Sequence, residues 1–491
     1  MNGPTPRDEL LRTLLVKLRG DTLRYIPSAV VPAAASIAGI SIFTRVFDPL
    51  EFGRYSVVMA VTVIMVSLLS GWIQQSVLRY LPRFRADGRM TEFAMKLFVV
   101  LAIIAGSVLF ILLFLFPFIE ARLGGYARFY QAGVLVVFSE ILFASLNVAF
   151  QARLRSGQSA RYKIASAVMR LALALLFIFF VRRDIVGILL GAAVANLLLV
   201  PLMLKDLGIL RNMRLVPGAL DGRFIRMFAG YGLPMVGWML CGQVLALSDR
   251  LLIGAFRGGT EVGIYSANYN LVVMGFGLIS TPLLTASYPI IMTAWESGST
   301  GRITKVISQF SKYYILAILP AVLFIGLFSR EIVTLLLGSE FRQGHAIIPF
   351  VLGGVVVWGL AMIGHKGLEI QERTRMLLLL VAVSTLINIG LNLAIIPAFG
   401  YRGAAVTTLV SNSCYPVLVY LVTARAIPWR LPWGAIARVC LAGAGMSAVM
   451  VALRALVGGH VPLPVLLVSV GVAGTIVYGV LLRIMNELTF S

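Results

Sequence analysis

The chain contains about fourteen apolar segments, and each is long enough to cross a lipid bilayer. A helix needs roughly 20 apolar residues to span a hydrocarbon core of about 30 Å. Lipid offers backbone polar groups no hydrogen bonds, so segments that cross it form helices or closed barrels. The segments here are much longer than the strands of a barrel, which run to roughly ten residues. The sequence therefore predicts an all-α polytopic membrane protein.

Charged residues break this pattern at regular intervals and define the expected spans. Only 13% of the residues are charged and the mean hydropathy is +0.94, which excludes a soluble protein of this length. The first six predicted spans are 23–44, 56–78, 95–117, 129–151, 164–181 and 185–204. The next six are 227–248, 263–291, 314–336, 346–368, 376–397 and 404–424, and two more follow at 438–457 and 464–482.

The distribution of Lys and Arg predicts the orientation of these spans, because cytoplasmic loops retain positive charge. With the N-terminus inside, the cytoplasmic segments carry 29 basic residues, and the opposite side carries 12. All seven Lys residues fall on the cytoplasmic side. Both termini are therefore expected in the cytoplasm. The net charge of +22 is mainly this topology signal, and a nucleic-acid partner is not expected.

Short motifs recur at a nearly constant offset. Gly53-Arg54-Tyr55-Ser56 returns as Gly263-Ile264-Tyr265-Ser266, 210 residues later. Gly191-Ala192-Ala193-Val194 returns as Gly403-Ala404-Ala405-Val406, 212 residues later. Such spacing indicates an internal repeat of six spans. Because six is even, the two repeats have the same orientation, a type of transporter repeat that places its substrate site between the halves.

The repeat predicts five parts along the chain. An amphipathic cytoplasmic segment (1–22) precedes an N-terminal six-helix lobe (23–204), a cytoplasmic linker (205–226), a C-terminal six-helix lobe (227–424) and an additional helix pair (438–483). The small residues of the repeated motifs also let helix backbones approach closely, and packing is their expected role.

Signatures of catalysis are not found. The sequence has no phosphate loop, and His345, His365 and His460 lack the spacing of metal ligands. The three cysteines lie inside predicted spans and imply neither a disulfide framework nor a metal site. We expect no enzyme activity, no metal and no cofactor.

Two ionisable residues lie within predicted spans, where charge is expensive and usually functional. Glu140 is near the middle of the fourth span, and Arg170 is in the fifth. They could pair between adjacent antiparallel helices and take part in ion coupling. Alternatively, Arg170 extends to the inner surface and burial keeps Glu140 neutral.

Further candidates lie near the ends of spans, where they could bind an anionic substrate. Arg24 begins the first span and Arg45 ends it, Asp249 and Arg250 end the seventh, and Lys366 lies at the inner end of the tenth. Arginine presents a planar fork that matches phosphate oxygens. The alternative is that such residues contact lipid headgroups.

Amides within the second span supply a different chemistry. Gln74 and Gln75 could donate hydrogen bonds to sugar hydroxyls from the wall of a cavity. Hydrogen bonding between helices is the alternative role of such residues.

Several motifs together resemble those of bacterial polysaccharide and O-antigen flippases. They are the run Thr44 to Tyr55, Arg79-Tyr80-Leu81-Pro82, Asp249-Arg250-x-x-Ile253-Gly254 and Ile395-Ile396-Pro397-x-x-Gly400-x-x-Gly403. The resemblance covers about 20 to 425. It implies the multidrug/oligosaccharidyl-lipid/polysaccharide exporter superfamily, with two helical bundles around a central cavity.

The resemblance further implies a function. A member of this family would move an undecaprenyl-diphosphate-linked oligosaccharide from the inner to the outer leaflet of the bacterial cytoplasmic membrane by alternating access. Proton or sodium coupling, and polysaccharide polymerase and co-polymerase partners, are compatible with it. A peptidoglycan lipid-precursor flippase, a multidrug cation antiporter of the same superfamily and a scaffold for membrane glycosyltransferases are the alternatives.

Overall fold

The computed structural model describes residues 27–153, 155–181, 183–210, 222–296, 300–425 and 427–487, and these are helical with no strand. Arg24 and the predicted amphipathic segment 1–22 lie outside the described residues, as does the central part of the predicted linker. The all-α prediction is confirmed for the described chain.

The helices alternate with short connections. Helices α1 to α6 are Pro27–Val46, Pro49–Ala86, Met90–Leu123, Ala127–Ala152, Ser156–Leu176 and Val186–Asp206. Helices α7 to α10 are Gly222–Arg257, Gly259–Glu296, Thr300–Leu327 and Ser329–Leu336. Helices α11 to α15 are Ile348–Gly364, Lys366–Glu369, Thr374–Thr423, Trp433–Val457 and Leu463–Ile484. Short 3-10 segments at Gly124–Tyr126 and Ser339–Ile347 and a π-helical turn at Phe177–Val181 complete the described elements.

Twelve segments of the described chain are long and apolar enough to cross a membrane. Two of them are exceptionally long: Met90–Ala152 has 63 residues and Thr374–Thr423 has 50. A straight helix of 50 residues would measure about 75 Å, more than twice the thickness of the hydrocarbon core. Both segments break at a glycine with positive φ, 51° at Gly124 and 59° at Gly400. Counting each as two crossings gives the expected fourteen, which stays a prediction, as does the orientation.

The ninth predicted span, 314–336, was wrong in its limits. Helix α9 begins earlier, at Thr300, and ends at Leu327. Phe328 then leaves helical geometry, with φ −105° and ψ 22°, and the separate eight-residue helix α10 follows. Glu331, in the first turn of α10, forms an ion pair with Arg454 on α14. An apolar window alone could not separate these two helices.

The chain divides into two compact units. The first comprises the described residues up to Gly39 together with Glu51–Leu251, and the second comprises Ile40–Leu50 together with the described residues from Leu252 onward. Helices α1 and α7 therefore each contribute residues to both units. The predicted lobe boundaries and the superposition of the two lobes stay predictions.

Helix lengths repeat as the motifs do. Helices α2 and α8 both have 38 residues, and their first residues, Pro49 and Gly259, are 210 apart. Helices α3 and α9 also begin 210 residues apart, at Met90 and Thr300. The element pattern thus agrees with the repeat seen in the sequence.

Close helix packing inside the first unit depends on Gly191. A Cβ atom added there would lie 2.5 Å from the backbone nitrogen of Ala174, so α6 contacts the backbone of α5 directly. Gly187, one turn earlier, faces Phe177 and Ile178 at 3.1 Å by the same measure. The packing role predicted for these small residues is confirmed.

The additional helix pair belongs to the second unit and has its own apolar core. Phe328, Met446, Val470 and Tyr478 are buried in one cluster that joins α14 and α15 to the end of α9. Tyr478 also donates a hydrogen bond from its hydroxyl to the carbonyl of Leu316, at 3.0 Å.

Candidate functional site

The strongest concentration of polar groups in the first unit lies midway along three apolar helices. Glu140 is at the middle of α4, and Asn196 is at the middle of α6. Arg170 is near the middle of the helix that α5 and its π-helical continuation form. Together with Ser139 and Ser166 these residues form a group that we call the ionic cluster. A Glu140–Arg170 pair in this position was one of the two possibilities that the sequence left open.

Both charged residues of the ionic cluster form hydrogen bonds within it. Arg170 Nη2 donates to Glu140 Oε2, so the predicted ion pair is present between α5 and α4. The same Nη2 donates to Asn196 Oδ1 at 2.9 Å, and Asn196 Nδ2 donates to Glu140 Oε2 at 2.7 Å. Ser166 Oγ donates to Asn196 Oδ1 at 3.2 Å. Asn196 therefore contacts both charges at once.

The ion pair is only partly enclosed. The Arg170 side chain keeps 31% of its surface exposed and the Glu140 side chain 27%. Arg170 also lies over the Phe143 ring, 5.9 Å from its centroid, and its Nε is buried with no hydrogen-bond partner among the described residues. Glu140 is thus the carboxylate that compensates the charge of Arg170 in this cluster.

Arg45 has a different environment from the one expected for a substrate ligand. Its guanidinium donates from Nη2 to the carbonyl of Leu335 at 2.6 Å and from Nη1 to that of Leu336 at 2.9 Å. It also donates from Nη1 to Ser41 Oγ at 2.6 Å. Leu336 is the last residue of α10, whose terminal carbonyls lack partners within the helix. Arg45 therefore caps α10 with a cation at its carboxyl end.

Asp249 and Arg250 are both buried, with 0% and 4% of their surfaces exposed. Arg250 donates from Nη1 to the carbonyl of Ala246, one turn back on α7, at 2.9 Å. Two adjacent ionisable residues of α7 are therefore buried in the described chain.

Lys366, in the second unit, is compensated by a local carboxylate. Its Nζ donates to Glu369 Oε2 at 2.5 Å and lies 4.8 Å from the centroid of the Tyr288 ring. His365 is buried beside it, with Nδ1 2.9 Å from the Tyr415 hydroxyl and Nε2 3.5 Å from Glu369 Oε2. Lys366 is therefore one member of a paired group rather than a lone cation.

The predicted amides have mixed roles. Gln74 donates from Nε2 to Ser70 Oγ at 3.0 Å on its own helix, and Gln75 is half-buried on α2. Asn196 was missed by sequence reasoning, although a lone amide in the middle of an apolar span is the signal that could have found it.

In the second unit, the part of the repeat that corresponds to the ionic cluster has buried amides and hydroxyls rather than charged side chains. On α13, Asn392 donates from Nδ2 to Asn388 Oδ1 at 3.1 Å, and Thr407 donates to Asn392 Oδ1. Thr407 follows Asn196 by 211 residues, close to the motif offset. The ionic cluster is therefore a property of the first unit within the described chain.

The twelve apolar segments and the midpoint charges define a multi-pass helical membrane protein with two units. A family profile described as "Polysaccharide biosynthesis protein" matches residues 23–295, more than half of the chain. The chain belongs to this family.

Curated relatives are similar at low identity. "Probable low-salt glycan biosynthesis flippase Agl15" of Haloferax volcanii is 25% identical over 177 residues, which cover 36% of this chain and 37% of Agl15. "Probable flippase AglR" of the same organism is 25% identical over 228 residues, which cover 45% of this chain and 47% of AglR. The chain thus spans less than half the length of these two relatives. An uncharacterized membrane protein of Methanocaldococcus jannaschii is 20% identical over 75% of this chain and 76% of its own length.

Solved structures share the fold. The lipid II flippase MurJ in its inward closed conformation superposes with a TM-score of 0.75, covering 94% of this chain and 98% of MurJ at 11% identity. An inward-facing multidrug resistance transporter of the MATE family has a TM-score of 0.68, covering 80% of this chain and 94% of its own at 12% identity. The predicted family is confirmed by the family match, and these likenesses show a shared fold.

Proposed function

We propose that this protein is a flippase that moves an undecaprenyl-diphosphate-linked oligosaccharide from the inner to the outer leaflet of the bacterial cytoplasmic membrane. Membership of the polysaccharide biosynthesis family over 23–295 is the observation that carries the proposal. The flippase names of two relatives and the fold shared with a lipid II flippase support it. Charged phosphates and unbonded hydroxyls cost several kcal/mol each in hydrocarbon, so such a substrate needs a transporter to cross the membrane.

Alternating access between the two lobes is the proposed mechanism, and the ionic cluster is its proposed coupling site. Arg170 and Asn196 both bind the Glu140 carboxylate at mid-span. A proton on Glu140 would weaken both contacts and free Arg170 to reorient. Sodium could act similarly by competing with Arg170 for the carboxylate.

The proposed contacts for the diphosphate are Arg24, Arg250 and Lys366, and Asp249 would orient Arg250. The proposed contacts for the sugars are Gln74 and Gln75. Arg45 is the least suited of the set, because its guanidinium already binds α10.

Two alternatives predict different substrates. A peptidoglycan lipid-precursor flippase is favoured by the fold shared with MurJ over 94% of this chain. A multidrug cation antiporter is favoured by the MATE likeness, but its cationic substrates need a carboxylate that is available. Glu140 is already paired with Arg170, which argues against that role.

Transport by the purified protein in liposomes tests the proposal. Three fluorescent probes would be compared: an undecaprenyl-diphosphate-linked oligosaccharide, lipid II and a lipophilic dye cation. A membrane-impermeant quencher then reports how much of each lipid probe has crossed, and dye release reports the cation. We expect movement of the first probe. Movement of lipid II alone, or of the cation alone, would assign the corresponding alternative.

The matched variants are Glu140→Gln and Glu120→Gln. Glu120 is an exposed carboxylate on α3, so its substitution changes the net charge equally without affecting the ionic cluster. We expect Glu140→Gln to slow oligosaccharide movement and Glu120→Gln to leave it unchanged. Association with a polymerase and co-polymerase in cells is a further expectation, and co-purification from native membranes would test it.

A further inference from the structure

A basic cavity lies at one end of the first unit, away from the ionic cluster. It has a volume of about 230 Å³, and the side chains of Arg85, Arg153 and Arg155 line it together with Thr91 and the backbone around Leu207. These residues come from the segments that the charge distribution places in the cytoplasm. No acidic residue lines it among the described residues. We call it the arginine cavity.

Two glycine turns end helices beside the arginine cavity, and Gly208 itself lines it. Gly208, with φ 75°, ends α6: its N–H donates to the Lys205 carbonyl at 2.9 Å, and the Ile209 N–H donates to that of Leu204 at 3.0 Å. Gly88, with φ 67°, ends α2 in the same way. This pair of bonds is the motif that closes a helix on a left-handed residue. The ends of α2 and α6, which are far apart in the chain, therefore lie near the same cavity.

The three arginines have no carboxylate partner among the described residues. Arg85 donates from Nη1 to the carbonyl of Arg153 at 3.1 Å, and Arg153 donates from Nη1 to the carbonyl of Leu207 at 3.1 Å. Arg155 donates from Nη1 to the amide oxygen of Gln158, at 3.4 Å. By contrast, the neighbouring Arg89 binds both oxygens of Glu92, at 2.8 and 2.9 Å. The cavity therefore concentrates positive charge, whereas the charge of Arg89 outside it is neutralised by Glu92.

Among the described residues, Arg153 is the cavity arginine whose side chain has a buried, unpaired donor. Its Nε is buried without a hydrogen-bond partner in the described chain. Burial lowers the pKa of Arg153, and the cations of Arg155 and Arg85 lower it further. A buried donor left unpaired is costly, so the structure retains an unmet requirement for an acceptor at this point.

The start of α3 adds a second source of positive potential. Met90 and Thr91 form its first turn and line the cavity. The first N–H groups of a helix have no partners within it, and the helix dipole favours an anion there. Three guanidinium groups and a helix N-terminus therefore converge on one space.

We propose that the arginine cavity binds a phosphate monoester or diester group, presented at the cytoplasmic surface of the membrane. The cavity volume is several times the roughly 30 Å³ that one water occupies in the liquid. It is smaller than the roughly 300–1,000 Å³ of pockets for drug-sized ligands, so it suits a single headgroup. The site is separate from the proposed transport path and does not depend on the proposed function. The group could belong to a lipid headgroup or to free phosphate.

Thermal melting of the full-length protein in detergent distinguishes these sources. The probes are dioctanoyl phosphatidic acid, dioctanoylglycerol (the same lipid without the phosphate) and inorganic phosphate. A rise in Tm with phosphatidic acid but not with dioctanoylglycerol or inorganic phosphate identifies a lipid headgroup. An equal rise with inorganic phosphate identifies a soluble ligand. No rise with either phosphate probe would overturn the proposal.

Substitutions locate the binding. We expect Arg153→Gln and Arg155→Gln each to weaken the apparent affinity about tenfold or more, because each removes a charge-assisted hydrogen bond. Arg89→Gln is the matched control, since it removes a nearby cation that Glu92 already neutralises, and it should bind as the wild type does. Arg155→Gln keeps the test valid should Arg153→Gln fail to fold, since Arg155 is exposed and its hydrogen bond to Gln158 is long, at 3.4 Å. Wild-type affinity in folded Arg155→Gln, or equal weakening by Arg89→Gln, would contradict the site.

Discussion

Asn196 donates a hydrogen bond from Nδ2 to Oε2 of Glu140, 2.7 Å away, and so joins α6 to the ion pair between α4 and α5. Its Oδ1 accepts from Arg170 at 2.9 Å. One amide therefore contacts both charges and connects the three helices through hydrogen bonds.

Removal of the Glu140 side chain should destabilise the protein. Glu140→Ala leaves Arg170 without a compensating charge in an apolar region, at an expected cost of about 3–5 kcal/mol. The double variant Glu140→Ala/Arg170→Met removes both charges and should recover much of this loss. Thermal melting of the purified variants measures the difference. A double variant as unstable as Glu140→Ala would show that the pairing contributes little.

Arg45→Ala should reduce stability rather than substrate affinity. The substitution leaves the carbonyls of Leu335 and Leu336 without their cation, at an expected cost of about 1–2 kcal/mol. Arg330→Ala, an exposed arginine on the same short helix, is the control and should melt as the wild type does. If Arg45→Ala melts normally but loses substrate binding, Arg45 is a ligand after all.

Gly191→Ala should loosen the contact between α6 and α5. The new methyl group would lie 2.5 Å from the Ala174 nitrogen, so the backbones must separate, at an expected cost of about 1–3 kcal/mol. Gly106→Ala on α3 meets no atom within 4 Å and serves as the control. Melting temperatures should fall for the first variant only; equal values for both would argue against tight packing at Gly191.

Acid should loosen the additional helix pair. Glu487 is buried, and although burial raises its pKa, hydrogen bonds from Lys312 and Arg438 outweigh that effect and hold the pKa below its usual value of 4.5. A folded-state pKa below the unfolded one contributes stability at neutral pH, and that contribution is lost as the pH falls below 4.5 towards the folded pKa. Glu487→Gln should therefore be less stable than the wild type at neutral pH, with a gap that narrows on acidification. A gap that stays constant with pH would exclude this ionic contribution.

Cysteine labelling tests the topology. In a background whose three cysteines are replaced by serine, Asp87→Cys should react with an impermeant maleimide only from the cytoplasmic side, and Gly459→Cys only from the outer side. Both positions are exposed in the structure. The expectation follows from the excess of basic residues on the cytoplasmic side. Labelling of both from the same side would overturn it.

The hydropathy pattern alone predicted the helical fold, because the apolar length needed to cross lipid is a local property of the sequence. It also placed Glu140 and Arg170 on adjacent helices, where they do form a pair. The same reasoning was wrong about the ninth span, because α9 ends at Leu327 and a separate helix, α10, begins at Ser329.

Other features depend on packing between residues far apart in the chain. Arg45 stays a predicted substrate contact, and its guanidinium binds the carbonyls of Leu335 and Leu336, about 290 positions away. The arginine cavity likewise forms only where the ends of α2, α4 and α6 meet the start of α3. Sequence thus determined which segments enter the membrane and which charges must be compensated there. Tertiary structure decided the partner of each charge, because hydrogen bonds require particular atoms within about 3 Å.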